Sequence, residues 1–291
     1  MADNPHIGHR QRMRRKLFEY SRRVFDTYEL LEMLLYYSVR LRDTNPISKS
    51  LLQSFSSLNG VLHADYEKLT EAEGVGEKSA KLIVGVNRLH KALFLSGSAG
   101  EDTARLCFCD LLSLIGADAG IDAKLIREYS LRNIFEADAD SLKDIAGERI
   151  ACFILLVSAL LSRRITDNYA KQKRLTEKET ENYLIGLFYG LPYENIYMLS
   201  YGRQGELIAS DFITEGVLDG SEILPKKILA LAKKRGAVGI SLAHNHPMAS
   251  PEPSPDDIES TAILAKILTE NGIALCEHYI VAQGRVNKIP R

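Results

Sequence analysis

The chain has 291 residues, of which 45% are hydrophobic and 26% are charged, and its formal net charge at pH 7 is -1. This composition is typical of a globular protein with two or three domains. The near-zero net charge excludes a global field that attracts nucleic acid, so any such affinity must come from local patches.

The lack of a recognisable targeting signal and the cysteine usage both predict a cytoplasmic location. No uninterrupted apolar run reaches the roughly 18 residues that span a bilayer, and the basic amino terminus lacks the apolar core of a signal peptide. The four cysteines are too few and too scattered to form a disulfide framework, so we expect reduced packing residues. They are Cys107, Cys109, Cys152 and Cys276.

The first 25 residues carry a concentration of positive charge, interleaved with Phe18 and Tyr20 and opposed only by Asp3 and Glu19. Two interpretations stay open at this point: a solvated helix face and a nucleic-acid patch. The basic residues are Arg10, Arg12, Arg14, Arg15, Lys16, Arg22 and Arg23.

The amino-terminal half is predicted to be helical and to repeat itself. Residues 58–65, followed by Leu69 and Gly74, resemble residues 131–138, followed by Leu142 and Gly147. The offset is 73 residues throughout, from 58 to 131 and from 74 to 147. We therefore expect two copies of one helical module.

The first copy continues through Gly74-Val75-Gly76 into a helix predicted over residues 80–95. A glycine-hydrophobic-glycine turn before a helix is the core of the helix-hairpin-helix motif, whose amides and helix N-terminus can hold a DNA phosphate. The predicted DNA contacts are Gly74, Gly76, Lys78 and Lys81. Such binding should be sequence-independent and salt-sensitive, whereas the alternative is a turn that only packs.

The second copy, Gly147-Glu148-Arg149, is two residues shorter and lacks the second glycine, so we expect a degenerate packing module. Basic residues then recur at Arg163-Arg164 and in Lys171-Gln172-Lys173-Arg174, near a predicted linker. The predicted domains are a helical region at 1–98, the degenerate repeat at 99–165, a basic linker at 166–176 and a mixed domain at 177–291.

The carboxy-terminal domain alternates helical and strand patterns, which predicts a layered α+β fold. Gly236 and Gly272 are expected to end helices. The predicted elements are helix 177–189, strands 196–201 and 207–214, helix 224–235, strand 238–243, helix 254–271 and late strands near 274–281.

The most informative stretch follows strand 238–243. His244 and His246 are two residues apart on a strand and therefore share a face. Residues 248–253 are rich in proline and small residues and must leave the sheet, and Ser254-Pro255-Asp256-Asp257 is typical of a helix start. Two imidazoles and the Asp257 carboxylate would leave a fourth tetrahedral position for water, as in catalytic zinc sites.

This spacing, H-x-H-x7-S-x2-D, resembles the JAMM motif of JAB/MPN metalloproteases over the residues His244, His246, Ser254 and Asp257. The resemblance implies an upstream glutamate that acts as general base, and Glu194, at the start of a predicted strand, is the candidate. The rivals are Glu206, Glu215 and Glu222, of which Glu206 follows a predicted hairpin turn. His278 is expected to support the ligands rather than bind the metal.

Nearly the whole chain resembles the bacterial RadC family, whose members pair a JAB domain with a helical amino-terminal region. The likeness rests on residues 9–14, 28–35 and 45–46 and on His244-Asn245-His246-Pro247. Residues 224–227 and 248–250 depart from the family pattern, and the segment after Gly284 is short. These departures put substrate contacts in doubt and leave the metal residues intact.

The resemblance implies an α/β/α JAB/MPN-type domain and zinc-dependent hydrolysis of peptide or isopeptide bonds. Glu194 would act as base, and Ser254 would donate a hydrogen bond to the oxyanion. Two alternatives stay open. One is a metal-dependent nuclease in which the basic helical half presents a DNA strand to the zinc, and the other is a non-catalytic DNA-binding adaptor. A role in DNA repair is the family's traditional label.

Overall fold

The computed structural model describes residues 8–20, 24–40, 42–94, 98–169, 172, 174–215 and 223–290. The chain divides into two compact units, residues 1–164 and 165–291. The first unit is helical, as predicted. Its helices are α1 (His9–Glu19), α2 (Thr27–Leu35), α3 (Asn45–Phe55), α4 (Leu58–His63), α5 (Tyr66–Glu71), α6 (Glu77–Leu93), α7 (Ser98–Leu114), α8 (Ile121–Glu128), a 3-10 helix (Asn133–Glu136) and α9 (Ala139–Tyr169), which continues into the second unit.

The predicted repeat is visible in the helical unit. Gly74 and Gly147 both adopt a left-handed backbone conformation, with φ of 80° and 77°, which glycine tolerates at little steric cost. Gly147 interrupts α9, so this helix consists of two segments joined at a kink, like α5 and α6 in the first copy. Apolar residues at matching positions are buried in both copies: Leu58 and Leu131, Val61 and Ile134, Leu62 and Phe135, and Leu69 and Leu142.

Helix α9 is long and apolar enough, by length and composition alone, to cross a membrane. However, 61% of the qualifying window is buried inside the protein, as expected for a core helix. Arg164, one of the basic residues near the predicted linker, is only 3% exposed. Residues 166–169, which the sequence assigned to the linker, continue α9.

The second unit is built around a five-stranded sheet with the order β2-β1-β3-β4-β5. The β3–β4 pair is parallel and the other pairs are antiparallel. Each predicted helix and strand of this domain is present, with ends that shift by one or two residues. The elements are α10 (Glu177–Phe188), β1 (Asn195–Tyr201), β2 (Leu207–Glu215), α11 (Ile223–Arg235), β3 (Gly239–Asn245), α12 (Pro255–Glu270), β4 (Ala274–Ala282) and β5 (Arg285–Lys288).

Helices cover both faces of the sheet because its central strands are apolar on both sides. Alternate residues of β1 and β3 pack with α11 and α12 on one face, and the residues between them pack with α10 on the other. Gly236 and Gly272 have φ of 66° and 72° where α11 and α12 end, as predicted. The unit is therefore the α/β/α sandwich that the sequence predicted.

Candidate metal centre

The candidate metal centre lies where β3 ends and α12 begins. It consists of His244, His246 and Asp257, and this group of side chains is called the metal cluster below. His244 and Asn245 are the last residues of β3, and His246 follows directly. Ser254 caps α12 by accepting a hydrogen bond from the Asp257 backbone amide (3.1 Å), and the Asp257 carboxylate accepts one from the Ser254 amide (2.8 Å). This reciprocal capping box holds the Asp257 carboxylate at the first turn of the helix. The turn back from strand to helix thus brings the carboxylate to the imidazoles.

Three side chains that can bind metal face one point, and Asp257 approaches His244 with Oδ1 and His246 with Oδ2. The Nε2 atoms of His244 and His246 are 3.1 Å apart, and the Asp257 carboxylate lies 3.3 Å from the first and 3.7 Å from the second. Ligand atoms that bind zinc at about 2.05 Å in tetrahedral geometry are separated from one another by about 3.3 Å. The residues present therefore fit a divalent ion with nitrogen and oxygen ligands.

The burial and hydrogen bonds of these groups favour the protonation states that bind metal. Burial lowers the pKa of His244 to about 4, even though the Asp257 carboxylate acts in the opposite direction. Burial alone would raise the pKa of Asp257, but hydrogen bonds from the Ser254 hydroxyl and amide and the nearby histidines lower it. A neutral His244 and an ionised Asp257 are the forms that coordinate a cation.

Further polar groups support each imidazole from behind. His246 Nδ1 lies 3.0 Å from the Ser250 carbonyl, which can only accept a hydrogen bond. His244 Nδ1 lies 3.0 Å from His278 Nε2, and His278 Nδ1 lies 2.6 Å from the Thr261 hydroxyl. Burial lowers the pKa of His278 to about 3. His278 thus occupies the supporting position expected of it and faces away from the cluster.

Glu194 is half-buried and immediately precedes β1. In the antiparallel β1–β3 pair, Ile196 is the partner of His244. Glu194 precedes Ile196 by two residues, so it lies at the end of the sheet at which β3 ends in His244 and Asn245. The backbone thus carries Glu194 toward the metal cluster.

Asn245 holds the segment that carries Glu194. It is buried between the two histidines, and its side chain lies on the opposite face of the sheet. The Asn245 Oδ1 atom accepts a hydrogen bond from the Asn195 amide (2.8 Å), and Nδ2 donates to the carbonyls of Tyr193 (3.1 Å) and Leu191 (3.4 Å). These bonds bracket Glu194 on both sides.

The rival glutamates occupy other positions. The Glu206 carboxylate accepts a hydrogen bond from the Gln204 amide (2.9 Å) within the β1–β2 turn, at the opposite end of β1 from the cluster. Glu215 is exposed and pairs with Asn195 at the end of β2. Glu222 lies outside the described residues.

The single hydroxyl proton of Ser254 is directed at the Asp257 carboxylate, at an oxygen–oxygen distance of 2.6 Å. As an oxyanion donor, Ser254 would have to turn this proton away from Asp257. Its capping role needs only the oxygen, so the two functions predicted for this residue are compatible.

The residues predicted to contact DNA lie together in the helical unit. Gly74 forms the turn between α5 and α6, and Gly76 is the N-cap of α6. Lys78 is exposed, and Lys81 is 55% exposed with its ammonium 3.5 Å from the Glu77 carboxylate. The turn, the helix N-terminus and the lysines are thus adjacent, while contact with DNA stays a prediction.

Part of the basic amino terminus is used within its own unit. Arg10 donates hydrogen bonds to the carbonyls of Arg40 (2.9 Å) and Arg42 (2.7 Å), and Lys16 lies 3.6 Å from the Glu29 carboxylate. These contacts favour the interpretation as a helix face. Arg22, Arg23, Lys171 and Lys173 lie outside the described residues.

The sequence did not single out Asn245 or Thr261 as functional. Asn245 stands between two proposed ligands, so its position was a usable signal. Thr261 lies four residues after Asp257, which is one helical turn. This spacing could have indicated a contact between Thr261 and the helical turn that carries Asp257.

Comparison with known proteins agrees with the family resemblance of the sequence. Residues 175–288 match the model of the RadC-like JAB domain. A UPF0758 protein of Fusobacterium nucleatum is 29% identical over 283 residues, which are 97% of this chain and 95% of that protein. A UPF0758 protein of Ruegeria pomeroyi is 24% identical over 275 residues, covering 94% and 92% of the two chains.

Proposed function

The carboxy-terminal domain belongs to the RadC-like JAB family, as the sequence predicted, and on this basis we propose that the chain is a zinc-dependent hydrolase of peptide or isopeptide bonds. The domain has the fold of the JAMM-like metal-dependent hydrolases. The observation that carries this proposal is the convergence of His244, His246 and Asp257 on one point at zinc-like spacing. The two imidazoles and the carboxylate of this cluster are ligands of the types found in catalytic zinc sites.

His244, His246 and Asp257 would hold the ion, which supplies Lewis acidity and lowers the pKa of a coordinated water. Glu194 takes the proton of the attacking water and returns it to the leaving amine. Ser254 turns its hydroxyl toward the oxyanion of the tetrahedral intermediate. Asn245 keeps the Glu194 segment in place through its three backbone hydrogen bonds.

The test combines metal analysis with peptide hydrolysis. We expect about one zinc ion per wild-type chain, and cleavage of unfolded casein or of a lysine-linked isopeptide. His246→Ala should lose both zinc and activity. Glu194→Gln should keep zinc and lose activity, because a neutral amide cannot accept the proton.

Glu206→Gln is the matched control, since Glu206 lies in the β1–β2 turn and should affect neither measurement. Zinc binding that is unchanged in His246→Ala would refute the metal site. Full hydrolysis by zinc-loaded Glu194→Gln would refute the assigned base and leave the metal site standing.

We also propose that the helical unit contacts the DNA backbone through the α5–α6 turn. The exposed lysines beside the Gly74 turn support this. Lys78→Ala and Lys81→Ala should each weaken binding to duplex DNA of any sequence and reduce the salt dependence by about one phosphate contact. Lys91→Ala, at the far end of α6, is the control, and equal weakening by this variant would contradict the assignment. Release of nucleotides that is lost in His246→Ala would instead favour a nuclease.

A further inference from the structure

A chain of hydrogen bonds leads from the metal cluster into the core through two side chains that face away from the ion's position. His244 Nδ1 lies 3.0 Å from His278 Nε2, and His278 Nδ1 lies 2.6 Å from Thr261 Oγ1. Thr261 Oγ1 also lies 2.5 Å from the backbone carbonyl oxygen of Asp257. The chain therefore begins on one proposed ligand and ends on the backbone of another.

The direction of the chain is set at Thr261. A hydroxyl carries one proton, and a carbonyl oxygen can only accept. The Thr261 proton therefore goes to the Asp257 carbonyl, and Thr261 Oγ1 acts as acceptor toward His278. It follows that His278 carries its proton on Nδ1.

The same logic continues to the metal ligand. His278 is 1% exposed, and none of its hydrogen-bond partners in the described part of the chain is a carboxylate, so it is a neutral imidazole with one N–H. With its proton on Nδ1, His278 Nε2 is an acceptor. His244 must then donate from its own Nδ1, which leaves the lone pair of His244 Nε2 directed at His246 and Asp257.

We infer that Thr261 fixes the tautomer of His244 through His278 and so presents the metal-binding nitrogen before any ion arrives. Thr261 and His278 are positioning residues, since neither touches the ion's position. The inference rests on the proposed metal site, but the proton positions are a property of the metal-free protein. In the reversed chain, Thr261 Oγ1 and the Asp257 carbonyl oxygen would lie 2.5 Å apart with no proton between them, which is unfavourable for two acceptors.

The proton positions can be read by NMR of the imidazole nitrogens in the full chain labelled with ¹⁵N-histidine and freed of metal by a chelator. We expect His278 and His244 each to carry a proton on Nδ1 and none on Nε2. A proton on Nε2 of either residue would overturn the inference. This measurement needs no variant, so it does not depend on whether a mutant folds.

Substitution of Thr261 tests the consequence for metal binding. Thr261→Val keeps the shape and removes the hydroxyl, so zinc affinity should fall roughly 10- to 100-fold, the usual effect of losing an outer partner of a ligand. Thr261→Ser restores the hydroxyl and should recover most of the affinity. An unchanged affinity in Thr261→Val, or the same loss in Thr261→Ser, would contradict the positioning role.

Thr180→Val is the matched control. Thr180 is also buried, and its hydroxyl donates to the carbonyl four residues earlier, that of Thr176 (3.0 Å), in another helix of the same unit. The two failures are distinguishable. If zinc binding does not depend on His246, the proposed function fails, and the NMR measurement of the His244 and His278 tautomers still tests the inference. If zinc binds at His246 and Thr261→Val binds it equally well, only the inference fails.

Discussion

Each of the two units contains a cluster of polar side chains, most of them partly or fully buried, and the clusters differ in how donors and acceptors are matched. In the helical unit, the guanidinium of Arg164 donates to Asn87 Oδ1 (2.8 Å), to His63 Nε2 (3.0 Å) and to Asn59 Oδ1 (3.1 Å). A cation at its centre is surrounded by acceptors. The central donor of this cluster is part of the chain.

The metal cluster has the opposite arrangement. The His244 and His246 Nε2 atoms and the Asp257 carboxylate oxygens are acceptors that face one another at 3.1 to 3.7 Å. Facing acceptors repel one another unless a proton or a cation lies between them. A buried polar cluster therefore indicates a ligand when its acceptors lack a central donor, and indicates a structural role when the donor is part of the chain.

Loss of one acceptor from the metal cluster gives the largest expected effect. His244→Ala should weaken zinc binding roughly 100- to 1000-fold, about one quarter of the binding free energy of a four-ligand zinc site. His63→Ala removes an imidazole from the Arg164 cluster and should leave zinc affinity unchanged. Titration with zinc against a chromophoric chelator measures both. Equal affinities in the wild type and His244→Ala would remove the distinction between the clusters.

The second effect concerns the stability of the helical unit. Asn87→Leu removes an acceptor from a buried guanidinium, and we expect the free energy of unfolding to fall by about 3 kcal/mol. Asn87→Asp supplies a carboxylate partner and should lose much less. Urea denaturation in the presence of a chelator, followed by circular dichroism, measures both. A loss in Asn87→Asp as large as in Asn87→Leu would show that the charge of Arg164 is not what the amide compensates.

Acid should destabilise the Arg164 cluster through its neighbour His90. Both ring nitrogens of His90 are buried without a hydrogen-bond partner among the described residues, and burial, with Arg164 nearby, lowers its pKa to about 3. Because an unfolded histidine titrates near 6.5, the unfolded chain binds the proton first. The stability that the neutral His90 contributes to the folded chain is fully present above pH 6.5 and is lost as the pH falls toward 3. At pH 5 the free energy of unfolding should be lower by up to about 2 kcal/mol.

His90→Leu removes this titration, so the difference in unfolding free energy between pH 7 and pH 5 should be smaller in the variant than in the wild type. Urea titrations of both proteins at the two pH values provide the measurement. An identical pH dependence would mean that His90 is as easily protonated in the folded protein as in the unfolded one.

The two clusters also differ in how far the sequence predicted them. The clustering of the proposed metal ligands could be predicted because strand periodicity, the helix-start signal and the spacing from His244 to Asp257 are local properties of one segment. The same holds for the elements of the sheet domain. The convergence of Arg164 with Asn59 and Asn87 joins residues 105 and 77 positions apart, for which the sequence carries no local signal.

The burial of Arg164 was not predicted, for the same reason. Arg163-Arg164 is a pair of charges at the end of an apolar run, and such pairs are typical of solvated linkers. Only the packing of α9 against α4 and α6 decides that Arg164 is buried. Thr261 and Asn245 likewise act through contacts with other elements, so their positions were a usable signal but did not by themselves give the residues a role.

The smallest expected effect separates structure from chemistry at Ser254, which belongs to the metal cluster only through Asp257. Ser254→Ala removes the N-cap of α12 and should lower the free energy of unfolding by about 1 kcal/mol, whereas Ser254→Gly should cost only a few tenths. Both variants lack the hydroxyl that is proposed to stabilise the oxyanion. If that role is real, hydrolysis by the zinc-loaded proteins falls equally in both, despite their different stabilities. If activity instead follows stability, Ser254 contributes to the cluster only by holding Asp257, as Asn87 does for Arg164.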